Sequence, residues 1–398
     1  MKHALSNYIV TGIFLLIIAV FTIWTWSAKD LKLSVLENRN LTQRPDANVE
    51  SVISGDYTKR FETYYNDQFP TRERFVEINS KINKYVLGQN IVRNVYVHKD
   101  GYLLSPVKDG TDSDAQKIAG KINTFSEKAK KLGADTYFTL MPNKSTIMED
   151  KFPSYFPSFG EKNTSQLMKK ISPSAHPVNP LQTVKSHLDE GNMYFYTDHH
   201  WKAKAAFYAY QDVMAKMAED DPAVGAPRNF KDYEWKEEGK PFYGSDARTT
   251  TKAYVKKHDT VTVATPKFSE EKINVCYNAV CDRGFYNMDM LDQDELYTNR
   301  YGTYLGGDHS ETAIYNPNKK GQTLLIIKDS YANAAIQFFA RHFEETRVLD
   351  LRHYKKMNVE QYIKTYEVDK IIILHNVNSI YLTPSLTNYE HPGMGENQ

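Results

Sequence analysis

An α/β fold, built on a mostly parallel sheet with helices on both faces, is predicted by three features of the sequence. Runs with almost no polar interruption, "TLLIIK" at 323–328 and "IIILH" at 371–375, read as strands buried on both faces. Amphipathic patterns such as "SDAQKIAGKINTFSEKAKKLGA" and "NVEQYIKTYE" alternate with them, as βαβ units require. Polar clusters follow the hydrophobic runs, as expected where strands end in site-forming loops.

The elements follow in order along the 398 residues. Tyr8–Trp26 is 19 residues without a charge, long enough at ~1.5 Å per residue to cross a hydrocarbon core. Trp24 and Trp26 stand where an interfacial anchor belongs. A cleaved signal peptide is the competing reading, but "WSA" puts bulky Trp26 three residues before any cut. A short polar N-terminus before one span places the rest of the chain outside the cell membrane. Domain organisation is therefore expected as an anchor over 1–30, a tether with helical lead-in over 31–90, and an α/β domain over 91–398.

Within the lead-in, "YTKRFETYYNDQF" and "PTRERFVEINSKINKYVLG" read as helices, the second carrying Phe75, Ile78, Ile82 and Val86 at helical spacing. "NVYVHKDGYLL" alternates like a hairpin around Asp100-Gly101. A capped helix ends at Gly133, and "DTYFTLMPNKSTI" continues as a strand leaving into a loop. "QTVKSHLDEG" is expected as a helix, "MYFYTD" as a strand, and "TDHHW" as the opening of a helix carrying Phe207, Tyr210, Met214 and Met217 on one face. Residues 220–300 break the rhythm and read as a short β-rich insertion. "QTLLIIKD", "SYANAAIQFFARHF", "TRVLDLR", "NVEQYIKTYE" and "VDKIIILHNVNS" then alternate strand and helix to the end.

A net charge of +1 gives no electrostatic case for nucleic acid. Cys276 and Cys281 fit an oxidising compartment as a small-loop disulfide, and fit two free thiols equally; without a second pair they do not make a zinc site.

Three polar clusters are candidates for chemistry: "KDSYAN", "LHNVNS" and "TDHHW". Ser330 falls at a strand-to-helix turn, where a hydroxyl projects from the sheet edge beside free helix N–H groups. The same position suits an N-cap, a role open to Asp329 and Ser330 alike. Asp198 and His200 are two apart, so a carboxylate can orient one imidazole nitrogen while the other faces outward. The alternative is a capping Asp198 with two solvated histidines. A metal reading draws on Asp198, His199, His200, Asp308, His309 and His375. Adjacent histidines seldom aim at one ion, and H-E-x-x-H is absent, so no metal site is expected.

With these residues in view, the chain resembles the DHHW family of bacterial surface proteins through "YTDHHW". More distantly, through D-x-H-W and the downstream "DSY" block, it resembles the alginate O-acetyltransferases AlgX and AlgJ of the SGNH hydrolase-like superfamily. "NDQFPTRERF", "KDGYLL", "LMPNKSTI", "GGDHSETAI" and "VLDLRHY" extend the likeness over most of the chain after the anchor. The resemblance implies Ser330 as nucleophile, His200 as base and Asp198 as its orienting group, with His199 on a variable position. It places the Ser330 N–H in an oxyanion hole. Asn376 resembles the asparagine block of those enzymes, Gly307 suits either an oxyanion contact or a turn, and Tyr331 is grouped with them as an oxyanion or substrate contact. The implied activity is extracytoplasmic acyl transfer or ester hydrolysis on a cell-surface or secreted polysaccharide. A membrane-bound O-acyltransferase is the implied acetyl donor, and no cofactor is needed. Lys328 departs from the family's glycine before the Asp-Ser pair. With the aromatic richness, it motivates a second reading, a non-catalytic, envelope-anchored glycan-binding or assembly protein.

Overall fold

The computed structural model describes residues 2–34, 36–37 and 39–394; Met1, the chain's last four residues and positions 35 and 38 of the expected tether lie outside that description. The chain divides into two compact units. One comprises the chain up to Gln89 together with Arg248–Tyr254, the other Asn90–Ala247 with Val255 onward.

In the smaller unit, Lys2–Ser27 is one helix, within which Ser6–Ser27 is long and apolar enough to cross a membrane and is mostly exposed. Helices Val49–Ile53, Asp56–Asp67 and Arg72–Tyr85 follow. The segment expected as an exposed tether is partly fastened: Arg39 grips Asp67 through two nitrogens at 2.9 and 2.6 Å, and Thr42 N–H adds 2.8 Å.

The larger unit is organised on a seven-stranded sheet. Its strands in chain order are β1 (Asp135–Met141), β2 (Asn274–Tyr277), β3 (Val280–Arg283), β4 (Glu311–Tyr315), β5 (Thr323–Lys328), β6 (Glu345–Leu349) and β7 (Lys370–Asn376). Their spatial order is β3-β2-β4-β6-β5-β7-β1. The expectation of a mostly parallel sheet needs correction. β6, β5, β7 and β1 are parallel, whereas β3, β2 and β4 extend the sheet antiparallel.

The parallel part alternates strictly between two cores. Leu324, Ile326, Ile372, Leu374 and Tyr137 face one, and Leu325, Ile327, Ile371, Ile373 and Phe138 face the other. Period-2 side-chain placement with both faces covered explains why these strands read as unbroken apolar runs. Helix Ala203–Asp220 contributes Phe207, Tyr210, Met214 and Met217 to the first core, and helix Asp112–Lys131 contributes Ile118, Ile122 and Phe125 to the second.

Three other expectations differ from the structure. Residues 220–300 are not one insertion. Tyr233–Phe242 and Asp259–Pro266 form a separate antiparallel pair, but 274–283 supplies two strands of the main sheet. "MYFYTD" is not a strand, because Tyr196 and Thr197 give their N–H groups to the Asp259 carboxylate, at 2.7 Å each, rather than to a neighbouring strand. "SYANAAIQFFARHF" is a 3₁₀ turn, Ser330–Ala334, followed by one short helix, Ile336–Phe339.

Candidate active site

The parallel strands β5 and β7 end side by side, Lys328 opposite Leu374. The carboxyl edge of such a sheet is where chain reversals leave backbone groups free for ligands. Immediately past β5, Asp329 is fully buried and acts as the cap: its Oδ1 accepts from Tyr331 N–H at 2.9 Å. Its Oδ2 accepts from the backbone N–H of Asn376 (2.8 Å) and from its side-chain amide (2.9 Å), so the ends of β5 and β7 are tied together. Because Asp329 does the capping, the half-buried hydroxyl of Ser330 is released from that role.

Ser330 Oγ lies 2.8 Å from His200 Nε2, and His200 Nδ1 lies 2.6 Å from Asp198 Oδ1, joining positions 130 residues apart in the chain. Burial pushes the Asp198 carboxyl up, but the His200 and His199 imidazoles and the donors around it outweigh that and hold it well below the usual carboxylate range. Burial, then the neighbouring His199, pulls His200 below its ordinary value; Asp198 opposes this only in part. A neutral imidazole beside an ionised carboxylate must donate from Nδ1, which leaves Nε2 as the acceptor facing the Ser330 hydroxyl. The His200 ring is fixed by stacking on Tyr301, with centroids 3.7 Å apart and planes 6° from parallel.

The Tyr196–Trp201 loop that carries Asp198 and His200 is held by side chains. Asp259 receives the backbone donors noted above. Lys144, 1% exposed, donates to the Asp198 carbonyl at 2.6 Å and pairs with Asp246 at 2.8 Å. Asp198 Oδ2 accepts from Ser245 N–H at 2.9 Å. The chain beside Asp198 must be glycine: a Cβ on Gly244 would collide with the Cβ and Cα of Asp198. Two further bonds clamp this loop to the Ser330–Ala334 turn. Trp201 Nε1–H donates to the Tyr331 carbonyl at 2.7 Å, and the Tyr331 hydroxyl donates to the His199 carbonyl.

Other sequence candidates are placed differently. Tyr331 is buried, and its hydroxyl is spent on that clamp rather than facing a ligand. Asn376 gives its amide hydrogens to Asp329 and to Ser379 Oγ (2.6 Å), and its Oδ1 caps the helix Val377–Leu382, so no donor remains for an oxyanion. Gly307 donates its N–H to the Tyr304 carbonyl at 3.1 Å and forms a turn, with φ at 100°. Lys328 is not idle: its ammonium reaches Asp308 at 2.6 Å and Asp350 at 3.4 Å, while Arg352 also pairs with both carboxylates. Of the metal candidates, Asp198, His199 and His200 present donor atoms within 4.8 Å of one another. His200 has both nitrogens engaged, however, and His199 Nδ1 is bonded to Ser245 Oγ at 2.6 Å. His375 is fully buried and pushed down to about 3 by burial, and His309 stacks on Tyr277.

Sequence reasoning missed Lys144, Tyr301, Gly244, Asp259 and the pairing of Lys328 with Asp308 and Asp350. Lys144, Asp308 and Asp350 carried a signal, through "LMPNKSTI", "GGDHSETAI" and "VLDLRHY"; the others carried none.

A family model described as DHHW protein matches residues 162–349, a stretch that contains the Tyr196–Trp201 loop, Ser330 and five of the seven strands of the sheet. Over those residues the chain is similar to the DHHW family. The chain is 24% identical over 190 residues to a "Probable alginate O-acetylase AlgJ" of Pseudomonas syringae pv. tomato, covering 45% of this chain and 47% of that one. The chain thus spans about half the length of the curated relatives it matches. Among solved structures, Bacillus cereus PatB1 with a sulfonyl adduct superposes with a TM-score of 0.62 at 22% identity, over 74% of this chain and 98% of that one. A DHHW family protein from Eubacterium siraeum gives 0.61 at 21%, over 75% and 95%. At these identities the likeness establishes the shared fold.

Proposed function

We propose that the chain is an extracytoplasmic, serine-dependent acyl (acetyl) transferase or esterase acting on a cell-surface or secreted polysaccharide, with an SGNH hydrolase-like core. One observation carries the reading: Ser330 Oγ, His200 Nε2, His200 Nδ1 and Asp198 form a continuous hydrogen-bonded series at 2.8 and 2.6 Å. His200 takes the Ser330 proton as Oγ attacks the carbonyl carbon of an acetyl ester. The Ser330 N–H, at the start of a 3₁₀ turn with no intrahelical acceptor, faces the developing oxyanion. Collapse expels the donor's oxygen, which receives the proton from His200. A sugar hydroxyl, or water, then gives its proton to His200 and attacks the acetyl carbon, and Ser330 recovers its hydrogen on release of the new ester or of acetate. Asp198 stabilises the imidazolium in both halves.

The polysaccharide acceptor follows the naming of the curated relatives as alginate O-acetylases. The extracytoplasmic placement rests on the apolar helix Ser6–Ser27, acting as a single-pass membrane anchor over about residues 1–30, and on the Cys276–Cys281 disulfide, a bond that persists in oxidising compartments. The α/β domain, 91–398, follows the lead-in over 31–90. A membrane-bound O-acyltransferase is the donor partner this arrangement calls for, and the reaction uses no metal or organic cofactor. The sulfonyl adduct carried by PatB1 suggests the test. Full-length protein in detergent is treated with phenylmethylsulfonyl fluoride and p-nitrophenyl acetate. Label on Ser330, with ester turnover lost on sulfonylation, is the expected result; inertness to both reagents would defeat the reading and favour the glycan-binding alternative.

A further inference from the structure

The antiparallel half of the sheet carries a pocket of about 620 Å³, within the size range of ligand sites. Its wall is the β2–β3 hairpin closed by the Cys276–Cys281 disulfide, and its floor is the Gly306–His309 loop. Tyr277 ends β2 opposite Thr312 of β4, and the next residue of β4 towards the edge, Glu311, pairs with Leu349 at the end of β6. Tyr277, one of the pocket's lining residues, therefore lies at the same carboxyl edge of the sheet as Ser330. β2 is three strands from β5, or about 14 Å at ~4.8 Å per strand. The floor is fastened to the Ser330–Ala334 turn, since Asp308 accepts from Asn333 at 3.0 Å and from Lys328.

The pocket has the surface of a sugar site. Tyr277 is a part-exposed ring braced by His309, centroids 4.3 Å apart, and aromatic faces stack on the apolar faces of sugars. Gly306 permits that close approach, because a Cβ there would meet the Tyr277 ring at 2.9 Å. Asn278 and Asn287 add amide groups to the lining.

Its charge is the informative part. The lining holds one fixed cation, Arg283, against two carboxylates, Asp282 and Asp289, and Lys272 pairs with Asp282 at 2.8 Å. His309 is held below its ordinary value by burial and by Lys328, so it adds no charge at neutral pH. Between pocket and Ser330 the cations Lys328 and Arg352 are matched by Asp308 and Asp350. Recognition of a polyuronate, with a carboxylate on every ring, calls for an excess of Arg and Lys along the path.

We propose that this pocket is the acceptor subsite for the Ser330 chemistry and that it takes an uncharged glycan in preference to a polyuronate. The assignment as an acceptor site rests on the acyl-transfer reading; the glycan preference does not.

Equilibrium binding to the full-length Ser330→Ala protein, which carries no acyl group, keeps the two apart. The probes are cellohexaose, chitohexaose and an oligomannuronate of equal length. At least one neutral oligosaccharide is expected to bind, with the oligomannuronate about tenfold or more weaker. Tyr277→Ala should weaken neutral binding about tenfold, the loss of one stacked ring. Asp289→Arg, at an exposed position, should move the preference severalfold towards the uronate. Uronate binding as tight as neutral binding, binding by none of the three, or neutral binding indifferent to Tyr277→Ala in a protein that melts normally would each overturn the proposal. Failed labelling of Ser330 in the wild type would instead sink the acyl-transfer reading and leave the binding result standing.

Discussion

The two arms of the Ser330–His200 pair are built by different means. The Ser330 turn follows a strand buried from Leu324 onward, and Asp329, the residue directly after that strand's last, Lys328, ties it to β7 through the Asn376 backbone and amide. The Tyr196–Trp201 loop belongs to no strand of the seven-stranded sheet. Its geometry depends on Asp259 taking backbone N–H groups, on Lys144 holding carbonyls and on Gly244 leaving room. One arm is positioned by the sheet; the other is positioned by buried ions that come from distant parts of the chain. The Tyr196–Trp201 loop should therefore be the arm that single substitutions can displace without removing the chemistry itself.

Substitutions can break this contrast or sharpen it. The largest effect is expected from Ser330→Ala, with ester turnover falling about 10⁴- to 10⁶-fold and melting temperature nearly kept, because the turn is capped by Asp329 and not by the serine. Asp198→Asn should follow at about 10³- to 10⁴-fold, since an amide favours the wrong imidazole tautomer; kcat is the quantity to measure. Lys144→Met should act on structure: removing the ammonium from Asp246 and from the Asp198 carbonyl is expected to cost about 3–5 kcal/mol, read by denaturant unfolding. If Lys144→Met leaves stability intact and alters only kcat, the Tyr196–Trp201 loop is not held as described.

The smallest effect concerns pH. His200 must be neutral to accept the Ser330 proton, and its pKa is lowered, so kcat/KM should fall only below about pH 6.5, as pH drops through the depressed value. His199 contributes to that depression, so His199→Ala should move the acid limb to higher pH. A limb that moves to lower pH, or does not move, contradicts the electrostatic role assigned to His199.

Sequence pattern alone determined the parallel strands, whose unbroken apolar runs follow from burial on both faces, and the helices that cover them. It also placed Asp198 and His200 two apart, a spacing that lets the carboxylate reach the ring without any long-range information, and Ser330 at a strand end. The tertiary structure decided what depends on distant partners. Tyr331 and Asn376 look available in sequence and are consumed by bonds to His199, Asp329 and Ser379. The "MYFYTD" segment looks like a strand and is not one, because its donors find Asp259, some sixty residues away. The β2–β3 hairpin looks like an insertion and completes the sheet, since an edge strand is defined by the neighbour it pairs with and not by its own composition. Local pattern fixes how a segment buries itself; which polar groups are left over for chemistry is a property of the assembled fold.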